Sequence, residues 1–242
     1  MSQSDAMTSR PVLYLLPVPL SDVAPSEVMP QRNIEVARSV KYFIVENIRS
    51  ARRFLKRCDR EISIDELSFV ELNEHTSPAD VPAMLKPLEE GHDMAVVSEA
   101  GCPAVADPGA DAVAEAQRRG YEVVPLIGPS SILLALMGSG FNGQTFAFVG
   151  YLPVDASARA ARLKEMERRI LREHQTQIFI ETPYRNNKLI GELCRTMPSD
   201  MRLCVASDIT GPRQSILTKT MAQWRKSTFD YDKIPTIFLI YL

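Results

Sequence analysis

The groups best suited to holding a ligand are concentrated between Val97 and Gly109, V-S-E-A-G-C-P-A-V-A-D-P-G. Gly101 lets a ligand approach the backbone with no Cβ in the way. Pro103 and Pro108 fix the shape of the segment, and Ser98, Glu99, Cys102 and Asp107 add a hydroxyl, two carboxylates and a thiol. The preceding apolar run Met94-Ala95-Val96-Val97 suits a buried strand of a parallel sheet. Asp107 and Pro108 read as the N-cap and first residue of a following helix. The segment is thus a long strand-to-helix turn, and in open α/β sheets such turns form the crevice where ligands bind. A tight structural connection capped by Asp107 would use the same residue types, and the residues alone leave both readings open.

Other chemistries find little support. The chain has no G-x-G-x-x-G or G-x-x-x-x-G-K-[ST] run for a dinucleotide or nucleotide phosphate. It also lacks H-E-x-x-H and G-x-S-x-G. His75, His92 and His174 lie far apart, and Cys58, Cys102, Cys194 and Cys204 form no C-x-x-C pair, so neither a metal site nor a disulfide framework is expected. Met1 to Arg10 is polar, and no apolar run is long enough for a bilayer. These features predict a soluble cytoplasmic protein with reduced thiols and a frayed N-terminus. With a net charge of -2 over 242 residues, any contact with nucleic acid must come from a local patch.

Along the chain, short apolar runs alternate with helical patterns. Val12–Leu16 reads as a first strand that must end at Pro17. Lys41–Val45 is a second and Leu67–Leu72 a third, with Thr76, Ser77 and Pro78 before a helical pattern of Val81, Met84, Leu85 and Leu88. Ala112, Val113 and Ala116 mark a helix ending at Gly120, and Tyr121–Pro125 is the next strand. This rhythm argues for a parallel sheet covered on both faces. Ser130 and Ser131 then open an apolar helix. Further on, a charged helix from about Ser157 to Glu173 carries an apolar stripe of Leu163, Met166 and Ile170, and Gln177–Ile180 is a strand ending at Glu181. Thr182 before Pro183 is an N-cap and N1 pair, and Ile234–Tyr241 fits a buried terminal strand.

Arg49, Arg52, Arg53, Lys56, Arg57 and Arg60 recur at spacings of three and four, one basic stripe on a helix whose other face is Ala51, Phe54, Leu55 and Cys58. Such a stripe is either a solvated face or a surface for phosphate contact, as on RNA.

The Val97–Gly109 run resembles the S-D-A-G-T-P-x-x-x-D-P-G signature of the tetrapyrrole methylase superfamily, in the branch containing the small-subunit rRNA cytidine ribose methyltransferase. Glu99 stands for the family's Asp and Cys102 for its Thr. Other segments are similar to family elements: Leu16 to Val23, Glu46 to Arg49, Asn73-Glu74, Leu126 to Ser131, Phe146 to Pro153, and Glu181 to Arg185. The chain departs from the pattern at Asn47, at Tyr184 in place of a histidine, and at Gly211 in place of a lysine.

The resemblance implies a two-domain α/β fold. Residues 1–127 would form an N-terminal, mostly parallel sheet flanked by helices and 128–242 a C-terminal mixed α/β domain, with the cofactor cleft between them. It implies S-adenosylmethionine as the cofactor, with Pro17, Ser98, Ala100, Gly101, Cys102, Pro103, Asp107, Ser130, Ser131, Thr182, Pro235 and Thr236 as binding residues. Glu46 and Glu99 are the carboxylates expected nearest the cleft, candidates to take a proton from a ribose hydroxyl. The expected activity is methyl transfer to an rRNA ribose 2'-hydroxyl, the basic stripe being the candidate RNA contact, by a homodimer. Methylation of a tetrapyrrole or other small molecule, or binding of S-adenosylmethionine without catalysis, are the alternatives that the departures leave open.

Overall fold

The computed structural model describes residues 10–242. The end expected to fray lies outside the described residues. The chain divides into two compact units, the first closing at Pro129 and the second opening at Ser130, where the resemblance implied a division between 127 and 128.

The first unit is built on five parallel strands. In chain order they are β1 (Val12–Leu15), β2 (Tyr42–Val45), β3 (Ser68–Glu71), β4 (Met94–Val97) and β5 (Glu122–Pro125), and across the sheet they run β3-β2-β4-β1-β5. All four residues of β4 are buried, as a central parallel strand requires. The period of two sorts its neighbours between two cores. Phe43, Val45, Ala95 and Val97 face helices α2 (Gln31–Ser39) and α3 (Ile48–Cys58), behind the short α1 (Pro25–Val28). Ile44, Met94 and Val96 face the other side, packing with Val81 of α4 (Val81–Met84), Leu88 of α5 (Lys86–Glu89), Leu85 between those two helices, and Ala112 and Ala116 of α6 (Ala110–Arg118).

Two local expectations are corrected. The pattern from Val81 to Leu88 is two short helices rather than one, because Pro87 has no amide to donate and its ring crowds the preceding turn. Asp107 and Pro108 do not start α6. Its N-cap is Gly109, whose φ of 124° only glycine adopts readily, so the helix begins at Ala110.

In the second unit α7 (Ser131–Ser139) precedes a mixed sheet of β6 (Phe146–Tyr151), β7 (Thr176–Ile180), β8 (Arg202–Ser207), β9 (Ser215–Thr220) and β10 (Thr236–Tyr241), ordered β6-β7-β10-β8-β9. Only β6 and β7 pair in parallel. One face of the sheet, with Phe179, Leu203, Val205, Phe238 and Ile240, packs against α8 (Ala156–Glu173), α9 (Asn186–Thr196) and α10 (Met221–Arg225). Leu163, Met166 and Ile170 are the buried stripe of α8, as their spacing predicted. Trp224 of α10 is buried, its Nε1 donates to the Leu203 carbonyl at 2.9 Å, and Lys219 sits over its ring. On the other face α7 lies against β10 and β9, so closely that a Cβ on Gly138 would come within 2.7 Å of Ile216 Cδ1. No described helix is long and apolar enough to cross a membrane.

Candidate functional site

Parallel pairing brings the carboxyl ends of β2, β4, β1 and β5 to one edge of the first sheet, so the segments leaving them are neighbours. After β1, the Leu16 amide donates to Val96 O at 3.0 Å, and Val18 and Gly101 exchange both backbone hydrogen bonds at 2.9 Å. This pairing holds Gly101 at a φ of +76°, where a Cβ would meet Leu20 Cδ2 at 3.2 Å and Pro129 O at 3.6 Å. The Cys102 thiol donates to the same Pro129 carbonyl at 3.6 Å. Gly128 lies flat on Pro17, leaving no room for a side chain. Pro17, Ala100, Gly101, Cys102 and Pro103 are therefore gathered at one edge. Val18, Leu20, Gly128 and Pro129 complete it, and sequence reasoning did not assign them because their part is to hold backbone.

The remainder of the turn folds back on itself. Val105 N donates to Cys102 O and Ala104 N to Pro108 O, both at 3.3 Å, while Ala104 and Ala106 have φ values of 65° and 62°. Alanine is costly in that region, and such strain gathers at functional turns. Asp107, released from capping, is half-buried near the Ser98 hydroxyl and the carboxylates of Glu46 and Glu99. Burial first, then the charge of Glu46, pushes its carboxyl up to about 6, with Ser98 opposing and Glu99 adding to the rise.

Glu46 follows β2, its amide donating to Val97 O at 3.4 Å. Its Oε2 is buried and has no hydrogen-bond partner among the described residues. Burial raises its pKa, the Glu99 amide lowers it, and the charges of Glu99 and Glu74 raise it again. Glu99 is exposed, and its Oε2 accepts from Ser50 Oγ at 3.2 Å. Neither Glu46, Glu99 nor Asp107 forms an ion pair among the described residues. Three carboxyls thus meet, and burial followed by the neighbouring charges makes Glu46 and Asp107 readier to hold a proton. No described group of His, Cys, Asp or Glu is arranged for a metal ion.

Asn47, a departure from the family pattern, is the N-cap of α3, its Oδ1 accepting from Ser50 N at 3.1 Å. The basic residues after it are exposed along α3, and Ala51, Phe54 and Leu55 are buried.

In the second unit, Ser130 caps α7 by accepting from Leu133 N at 3.5 Å, and Ser131 begins that helix. Thr182 occupies the N-cap position of a single 3-10 turn, Pro183–Arg185, but makes no capping bond. Its Oγ1 instead donates to Glu181 Oε1 at 3.3 Å and accepts from Arg185 Nε at 2.9 Å. Pro235 and Thr236 open β10. The Pro235 carbonyl accepts from Asp208 N at 2.9 Å, and Lys233 N donates to Pro183 O at 3.2 Å, so Thr182 and Pro235 share one edge of the second sheet. Gly211 also has a structural reason. The Asp208 carboxylate folds over it, only 2.2 Å from where a Cβ would be, and accepts from Arg213 N at 2.8 Å.

The chain is 29% identical over 213 residues to the ribosomal RNA small subunit methyltransferase I of Vibrio cholerae, covering 88% of this chain and 70% of the relative. With the protein of the same name from Bacillus subtilis it is 27% identical over 212 residues, covering 88% and 68%. Among solved structures it is similar in fold to the methyltransferase CobJ, with a TM-score of 0.62 at 16% identity over 96% of this chain and 94% of that one. Cobalt precorrin-4 methyltransferase, CbiF, has a TM-score of 0.57 at 15% identity over 97% and 96%. The profile of the family Tetrapyrrole (Corrin/Porphyrin) Methylases matches residues 26–224. The chain belongs to that family, and it is a methyltransferase.

Proposed function

We propose that the protein transfers a methyl group from S-adenosylmethionine to a ribose 2'-hydroxyl of small-subunit rRNA. The observation that carries the donor assignment is the turn after β4, whose Gly101, Ala104 and Ala106 all have positive φ beside a buried Glu46 oxygen with no partner among the described residues. The relatives named for ribosomal RNA support the acceptor. The residues present fit such a cofactor, since the edge combines backbone polar groups, the Ser98 hydroxyl and a buried Glu46 oxygen that has no partner among the described residues. Pro17, Ser98, Ala100, Gly101, Cys102, Pro103 and Asp107 would hold it in the first unit, and Ser130, Ser131, Thr182, Pro235 and Thr236 in the second.

S-adenosylmethionine, when bound, supplies a methyl group already activated by its sulfonium. The protein's share is to align the acceptor, exclude water and receive a proton. Methylation of a hydroxyl would release its proton, which a residue of this chain must take up. Glu46 and Glu99 are the proposed acceptors, and Glu46 Oε2 is the better placed because Glu99 Oε2 is already occupied by Ser50. Burial holds the Glu46 carboxyl above the usual carboxylate pKa, which makes it a stronger base than an exposed glutamate.

Contact with the RNA through the Arg49–Arg60 stripe, a cytoplasmic location and a homodimeric state belong to the same reading, the last of which sedimentation velocity checks. Incubation with undermethylated small ribosomal subunits and radiolabelled S-adenosylmethionine tests the activity, with label expected in RNA. Gly101→Val should weaken S-adenosylmethionine binding about tenfold or more in calorimetry, roughly 1.4 kcal/mol. An unchanged affinity in a folded variant would show the turn to be only a connection. Glu46→Gln should lower kcat by about a hundredfold while sparing cofactor affinity.

A further inference from the structure

Of the six cations expected on one stripe, Arg60 falls beyond the end of α3 at Cys58, and the others are not equivalent. Arg57 is tied down, its guanidinium pairing with Asp22 at 3.1 Å and donating to the Val23 carbonyl, and Lys56 Nζ donates to Arg60 O at 2.8 Å. This end of the stripe fastens the helix to the segment before α1 and to its own C-terminus. The other end is different. Arg49, Arg52 and Arg53 form no ion pair among the described residues, and all three are exposed. The Arg52 guanidinium lies over the Phe69 ring, 5.4 Å from its centroid, which orders it and lowers the entropy lost on meeting a ligand. Arg53 Nη2 donates to Ser50 Oγ at 3.5 Å, and that hydroxyl donates to Glu99 Oε2 at 3.2 Å. The free cations therefore run without a break into the carboxylate edge.

We infer that Arg49, Arg52 and Arg53 are the phosphate track for a single RNA strand leading to the carboxylates, and that Lys56 and Arg57 are structural. The inference rests on the reading of the protein as an rRNA methyltransferase and assigns the surface that its acceptor would cross. Arg52 and Arg53 follow Arg49 by three and four residues, about one helical turn or roughly 5.4 Å along the axis, so Arg49 and the Arg52–Arg53 pair can meet neighbouring phosphates. A lipid surface does not fit, because the apolar residues Ala51, Phe54 and Leu55 are buried and leave nothing to insert. The overall charge of -2 makes this a local patch on a chain with no general attraction for polyanions.

The test is binding of an unstructured RNA oligonucleotide, followed by fluorescence anisotropy from low to moderate salt, with S-adenosylmethionine calorimetry on every variant. Arg49→Gln, Arg52→Gln and Arg53→Gln should each weaken RNA binding and each flatten the plot of log affinity against log salt by about 0.7, the value for one phosphate contact on a single strand. Arg57→Gln should leave that slope unchanged and lower the melting temperature instead. An unaltered slope in the triple variant, equal loss from Arg57→Gln, or equally tight binding of a polyglutamate chain would each overturn the inference. If the parent chain binds no S-adenosylmethionine, the underlying reading fails. If it binds S-adenosylmethionine and the slopes do not move, only the track fails.

Discussion

The turn after β4 and the turn after β7 both leave a sheet carrying an acid, and they use it in opposite ways. In the second unit Glu181 Oε1 accepts from Arg185 Nε at 3.0 Å and Nη2 at 2.7 Å and from the Thr182 amide at 2.7 Å, so its capacity is spent within five residues. In the first unit Glu46, Glu99 and Asp107 face one another with no guanidinium among them, and Glu46 Oε2 has nothing to accept from among the described residues. Satisfied acids make rigid corners, whereas crowded and unpaired ones retain the ability to take up a proton or a ligand. The open site is the one surrounded by backbone too tightly packed for side chains.

That contrast can be broken in four ways. The largest effect is expected at Gly128, where an alanine Cβ would sit 2.2 Å from Pro17 Cβ. Neither partner can swing aside, and Gly128→Ala should cost about 3 kcal/mol, read as a fall in melting temperature. An unchanged melting point would show that the edge is slack. Arg159→Ala strikes the paired chemistry of the second unit. Arg159 meets Glu192 at 2.8 and 2.9 Å and also bonds the carbonyls of Pro153 and Val154, so truncation should cost about 2 kcal/mol by leaving Glu192 unpaired in a mostly buried place. Smaller still is Gly211→Ala. The clash there is with a carboxylate that can rotate, and the loss is one hydrogen bond, about 1 kcal/mol in denaturant titration.

The fourth test sharpens the electrostatic half of the comparison. Asp107 ordinarily ionises near 3.8 and does so at about 6 in the fold. A raised carboxyl is penalised once charged, so its ionisation costs stability progressively between pH 4 and 6, and the penalty is constant above that window. Asp107→Asn removes the charge. Its melting temperature relative to the parent should be level near pH 4, climb through pH 6 and then stay flat. Since the group is only half-buried, solvent screens much of the effect. A difference independent of pH would mean that Asp107 ionises in the fold as it does in the unfolded chain, felt by neither burial nor the neighbouring carboxylates.

Much of the fold was legible because it follows periodicity. The runs of the five parallel strands and the stripe of α8 are apolar patterns with one structural solution each. The strand β9, S-I-L-T-K-T, has no apolar pattern of its own, its residues being mostly polar or half-buried, and only pairing with β8 makes it a strand. Asp107 read as a helix cap because Asp-Pro is a cap sequence, whereas the left-handed backbone at Ala104 and Ala106 that redirects it leaves no mark in residue types. Glu46, Glu99 and Gly101 were visible as a motif. The link from Arg53 through Ser50 to Glu99 was not, since it joins a helix to a turn about 50 positions away in sequence.

The chain has one tryptophan, and it lies wholly within the second core, sealed by its bond to Leu203. Its emission therefore reports on one half of the protein and is blind to melting of the other. Following fluorescence and far-ultraviolet dichroism in the same denaturant series would reveal whether the halves come apart in one step or in sequence. Coincident curves would mean that damage at Gly128 is felt at Trp224, and separated ones that each half stands by itself.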